Sequence, residues 1–168
     1  MNTRVAACSL LLFASWPALA APSGRAGDAE VREAANGGPC FTISEREERR
    51  GGAPNFDAVT VTEASGKGSV MWKMAMPPSR TFPVSFSMCI PYAGRVQALP
   101  QTPAAQLEPG KLYHVRIDAR RAKGANTMSS YEARFCLARQ PDGSLLVHHV
   151  GRDDHEGRRL YGCLPRKD

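Results

Sequence analysis

The chain has 168 residues and a formal net charge of +6. An excess of that size favours acidic partners, yet Arg49-Arg50, Arg120-Arg121 with Lys123, Arg158-Arg159 and Arg166-Lys167 lie far apart, so the charge reads as solvated surface. No helix-turn-helix, zinc-finger or RNA-binding signature accompanies it, which sets nucleic acid aside as a partner.

Arg4 is followed by a run from Val5 to Trp16 that is apolar apart from Ser9 and Ser15, and then by Pro17-Ala18-Leu19-Ala20. That order predicts a signal peptide over residues 1–20, cleaved after Ala20. A membrane span needs roughly 20 predominantly apolar residues, and this run stops short of that. Cys8 precedes most of the apolar region, so it is expected to leave with the leader rather than carry lipid. Removing 20 of 168 residues leaves 148 and, without Arg4, a charge of +5. That is the size of one ordinary domain with a real core.

Cys40, Cys89, Cys136 and Cys163 remain, an even number in an oxidising compartment, which predicts two disulfides. A zinc site would require close pairs of the C-x-x-C kind, and the nearest two, Cys136 and Cys163, are 27 positions apart.

Residues 21–38 are rich in Ala, Gly and charge, and their lack of large apolar side chains predicts a flexible lead-in. The domain is then expected over residues 39–168. From Cys40 onward apolar residues recur with period two, the spacing of a strand. Phe41 and Ile43 share a face, and Val59 and Val61 alternate with Thr60 and Thr62. Val70, Trp72, Met74 and Met76 form a longer apolar face, and Phe82, Val84, Phe86, Met88 and Ile90 continue it. The clearest strand runs from Leu112 to Arg120. Tyr131, Ala133, Phe135 and Leu137 form another, and Pro141-Asp142-Gly143 turns the chain into Leu145 to Val150. Helix is expected for about one turn within Ser44 to Arg50, ending at Gly51-Gly52. Gly66 to Gly68, Pro77-Pro78, Pro91 to Gly94 and Pro100 to Gly110 read as connections. These short strands predict an all-β, antiparallel β-sandwich of immunoglobulin or fibronectin type, with a small open barrel as the alternative.

Alternation puts Cys40, Cys89 and Cys136 opposite the core-facing residues, which disfavours a bridge through the middle of a sandwich. The pattern leans towards Cys40 with Cys89 and Cys136 with Cys163, the other two pairings staying open.

His148, His149, Asp153 and His155 are the one grouping with metal-ligand chemistry. Adjacent strand residues point to opposite faces, so His148 and His149 do not readily share an ion, and a polar hairpin end is the simpler reading. No Gly-x-Ser-x-Gly elbow, isolated carboxylate pair, Walker A, Gly-x-Gly-x-x-Gly or EF-hand pattern is present. The expectation is a protein without catalytic residues, resident metal or cofactor. Trp72, Met74 and Met76 read as core rather than an adaptable binding groove, leaving Met71 on the opposite face as the better surface contact.

Several short motifs occur in a recognisable order: Pro39-Cys40-Phe41-Thr42-Ile43, the Trp72 strand, Cys89-Ile90-Pro91-Tyr92, Leu107 to Val115, Tyr131 to Leu137, and Tyr161-Gly162-Cys163. The series resembles a family of small proteobacterial periplasmic proteins, many of them lipoproteins, described as type VI secretion immunity proteins. The resemblance implies a non-enzymatic protector that binds a toxic effector in the periplasm and blocks it by steric occlusion. The chain departs from the lipoprotein members in having no Cys after its apolar leader, so it is expected to be soluble rather than lipid-anchored. Contact regions are expected in Pro91 to Gly110, Arg120 to Ser130 and Arg152 to Arg159. Arg120, Arg121, Arg158 and Arg159 are the candidates to meet an acidic protein partner. The alternative is an envelope-associated protein contacting acidic cell-envelope components through its basic surface.

Overall fold

The computed structural model describes residues 25–64, 67–96, 99–120, 127–151 and Cys163. They form β1 (Gly27–Glu33), β2 (Pro39–Ile43), α1 (Glu45–Gly51), β3 (Asn55–Glu63), β4 (Val70–Ala75), β5 (Ile90–Pro91), β6 (Leu112–Arg120), β7 (Ser130–Arg139) and β8 (Leu145–Val150).

The alternation in β6 is the clearest cause of the fold. Tyr113, Val115 and Ile117 are fully buried, while His114, Arg116 and Asp118 face outward. A strand with one such face must pair with neighbours in a register that keeps the face continuous. It does so on both edges: Val61 and Val59 of β3 stand opposite Val115 and Ile117, and Phe135, Ala133 and Tyr131 of β7 stand opposite Tyr113, Val115 and Ile117.

The strands join in one hydrogen-bonded path, β4-β3-β6-β7-β1-β2-β5, with β8 also pairing β7. The domain is all-β and carries two disulfides, as expected, but its sheet curls into a partly open half-barrel. Both wings bury side chains in one core, in which the ring of Phe41 on β2 lies 5.5 Å from that of Phe135 on β7. The pairing is antiparallel except where β1 meets β7 over Gly27 and Asp28. Beyond that point β8 takes over the same edge of β7, from Arg134 to Arg139, so the sheet forks.

Strand β1 corrects the expectation of a flexible segment over residues 21–38. Ala29 and Val31 are buried, and β1 bonds to both β2 and β7. The small side chains that read as disorder are a packing requirement here. A Cβ on Gly27 would stand 2.6 Å from the Tyr131 ring, so β1 approaches β7 that closely only with glycine at this point. The bulk is supplied by Tyr131, across the pair.

A second correction concerns the strand expected from Phe82 to Ile90, of which only Ile90 belongs to a strand. Pro83 has no N–H for a ladder, and the segment instead anchors point by point. Phe82 O accepts from Phe56 N at 2.7 Å, and Val84, fully buried, donates to Pro54 O at 2.9 Å.

Helix α1 is longer than the single turn expected. Ser44 caps it, its Oγ accepting from Glu47 N at 3.3 Å, and Glu45, Glu47 and Glu48 occupy the first turn, where the helix dipole favours acid. The β7–β8 hairpin turns at Gly143, whose φ of +85° suits glycine.

The disulfides join Cys40 to Cys89 and Cys136 to Cys163, the favoured pairing, with Cα separations of 5.4 and 5.5 Å. Cys136 lies away from the main core, in a small cluster with Val150, Cys163 and Leu112. Strand β2 is buried along its whole length, because the 85–89 segment covers its second face through the Cys40 bridge and a bond from Thr42 Oγ1 to Ser85 O.

Candidate functional site

A curled sheet that does not close leaves an opening between its first and last strands. Here the opening is partly filled from β4 outward. Residues 100–105 run along the free edge of β4: Ala75 N donates to Pro100 O, Thr102 N to Lys73 O and Ala105 N to Met71 O, all at 2.8–2.9 Å. Lys73 N donates to Thr102 Oγ1 at 2.9 Å, so the edge that would invite pairing with another chain is occupied. From the other side Tyr92, just past β5, sets its ring 5.5 Å from Trp72. Its hydroxyl donates to Ala105 O at 2.6 Å and Met71 O at 3.2 Å. Burial pushes the Tyr92 phenol up to about 12, with the neighbouring Tyr113 adding to the rise. Met71, expected as a surface contact, is half-buried against this core.

What stays open is an apolar cleft of about 570 Å³ between β3–β4 and the 80–96 segment. Phe56, Met74, Met76, Phe82, Met88 and Ile90 contribute its walls. Met74 thus serves as core, as expected, and as cleft wall as well. Phe82 and Val96, which line it, remain 39% and 47% exposed. The charged lining residues are Arg80 and Arg95; no carboxylate lines the cleft among the described residues. Neither guanidinium has an ion-pair partner among those residues.

One wall is held by Arg120. The β-bulge between Phe56 and Ala58 turns Asp57 out of the ladder, and Asp57 Oδ1 accepts from Arg120 Nε at 2.7 Å. Arg120 Nη1 donates to Pro78 O and Arg80 O, and Nη2 to Met76 O and Pro77 O, at 3.0–3.2 Å. All five donors of the guanidinium are therefore spent inside the chain. Arg120, expected to meet a partner, fastens the 76–80 turn to the sheet.

No family model, curated protein or solved structure matches this chain.

The other expected site residues fare differently. Arg121, Arg158, Arg159, Asp153 and His155 lie outside the described residues. His148 and His149 are adjacent on β8, and His149 Nδ1 accepts from Val31 N at 3.3 Å, bridging the fork between β1 and β8. Among the described residues no three His, Cys, Asp or Glu side chains gather as a metal site. The fork holds a second recess of about 730 Å³, lined by Arg25, Asp28, Arg46, Glu132 and His149. Most of its charges pair, Arg46 with Asp28 and Glu132 with Arg116, while Arg25 has no ion-pair partner among the described residues. The first cleft is set apart instead by walls that are mostly apolar and by two arginines with no carboxylate beside them among the described residues. Sequence reasoning placed Arg95 within an expected contact region, Pro91 to Gly110, without singling it out, and missed Arg80, a lone arginine after Pro77-Pro78.

Proposed function

We propose that this chain is an exported, non-enzymatic binding domain: an immunity protein that neutralises a type VI secretion effector in the periplasm by steric occlusion. The observation that supports the reading is how the irregular segments are held. Cys89 ties the long β4–β5 connection to β2, a second bridge joins Cys163 to β7, and Arg120 clamps the turn at 76–80. Connections fixed in this way lose little entropy when a partner docks, so more of the contact energy appears as affinity. The ordered motifs from Pro39 to Cys163 supply the direction of the reading, towards a protector rather than an enzyme. The partner is a secreted toxic effector, and the apolar leader places the encounter outside the cytoplasm. Among the described residues no helix is long and apolar enough to cross a membrane.

The test is a competition between sister cells with active secretion. Deleting the gene should make cells susceptible, and the intact chain should restore protection. A chain carrying Cys40→Ala and Cys89→Ala should restore it poorly. Full resistance of the deletion strain to every sister-cell effector would remove the proposal.

A further inference from the structure

We propose that the apolar cleft beside β4 binds the acyl chain of a carboxylate amphiphile of the fatty-acid class, its head held by Arg80 and Arg95. The inference goes beyond the immunity reading and does not depend on it, since the ligand lies within the half-barrel opening and needs no protein partner.

Three observations converge. The cleft, at about 570 Å³, falls within the roughly 300–1,000 Å³ of sites that take small ligands on mostly apolar walls. Its walls include Met74, Met76 and Met88, unbranched and polarisable side chains that adapt to a flexible chain. Its charge is of one sign, from Arg80 and Arg95, whose planar forks match a carboxylate. A cationic amphiphile would meet repulsion, and a neutral one would leave both guanidinium groups unused. A protein segment is the weaker occupant. The large apolar side chains exposed at the mouth are Phe82 and Val96, far less than the ~800 Å² per partner of a stable protein interface.

The walls are also pre-formed. Cys89, itself a lining residue, is bridged to β2, and Arg80 follows the turn that Arg120 clamps. A ligand would enter without first having to order the site.

The experiment is isothermal titration of the exported, oxidised protein with laurate, dodecanol and dodecyltrimethylammonium, each below its micellar concentration. Laurate should bind saturably at one site, at least about tenfold tighter than dodecanol, with the ammonium weakest. Arg80→Gln with Arg95→Gln, both at exposed positions, should bring laurate down to the dodecanol level and leave dodecanol unchanged. Phe82→Asp, also exposed, adds an anion at the mouth and should weaken laurate by a similar factor. Unchanged urea midpoints in both variants would show that the scaffold persists. Absence of saturable laurate binding, equal affinity for all three probes, or unchanged laurate binding in the double variant would each overturn the proposal. So would displacement of laurate by an acidic, leucine-rich peptide that binds the same cleft more tightly, which would assign it to a protein segment.

Discussion

Replacing Arg120 by Ala removes five hydrogen bonds at once, and the structure allows their worth to be apportioned. The Asp57 partner is 45% exposed, so that ion pair contributes about 0.5 kcal/mol. The bonds to Pro78 O and Arg80 O are exposed, and water replaces them at little cost. Those to Met76 O and Pro77 O are partly buried, and each is worth about 1–1.5 kcal/mol because the carbonyl left behind is poorly hydrated. The total is about 3 kcal/mol. For a domain of this size that lowers Tm by about 6–12 °C, and it lowers the urea midpoint with little change in m. Arg120→Lys should recover about half, since an ammonium has three donors for five acceptors and no planar fork. Asp57→Asn should cost no more than about 1 kcal/mol. Trp72 is a convenient reporter, being the one tryptophan among the described residues. If Arg120→Ala unfolds within about 0.5 kcal/mol of the parent, the clamp is not structural. Arg120 would then be returned to the surface as a candidate contact.

The two disulfides enclose different lengths of chain, 49 and 27 positions, so loop closure predicts losses of about 4 kcal/mol for Cys40–Cys89 and about 3.5 kcal/mol for Cys136–Cys163. Paired Cys→Ala variants followed by urea unfolding check both the size and the order. Phe135→Ala removes a ring 5.5 Å from both Phe41 and Tyr113 at the centre of the core and should cost about 3–5 kcal/mol, read as a lowered Tm by calorimetry. The Tyr92 phenol ionises near 10 when unfolded and near 12 when folded. Above pH 10 the unfolded chain therefore gives up its proton first, so stability that is complete below pH 10 is lost as pH rises from 10 to about 12. Burial moves Tyr113 and Tyr131 in the same direction. Urea midpoints at pH 8 and pH 11, with phenolate absorbance followed alongside, test this; an unchanged midpoint would contradict it.

The strands that were legible in the sequence are those whose pairing needs nothing beyond their own alternation. In β6, Tyr113, Val115 and Ile117 against His114, Arg116 and Asp118 declare both the strand and its inner face, because a pleated backbone sends successive side chains to opposite sides. The Pro141-Asp142-Gly143 turn was readable for a similarly local reason, and the even cysteine count predicted two disulfides while leaving their pairing open. Strand β1 was not readable, since Gly27, Ala29 and Val31 owe their burial to the Tyr131 ring and to β2, which lie elsewhere in the chain. Nor was the loss of the Phe82 to Ile90 strand, where Pro83 decides against a ladder that alternation favours.

The sequence by itself determined an all-β, twice-bridged domain, because alternation, turn residues and cysteine count act over a few residues or through composition. Only the tertiary structure decided that the sheet forks at β7 and stays open beside β4. It alone showed that Arg120 bonds back to the chain and that Arg80 and Arg95 line an apolar cleft with no ion-pair partner among the described residues. Such features depend on which distant backbone groups a side chain can reach, and that distance is set by the curl of the sheet rather than by position along the chain.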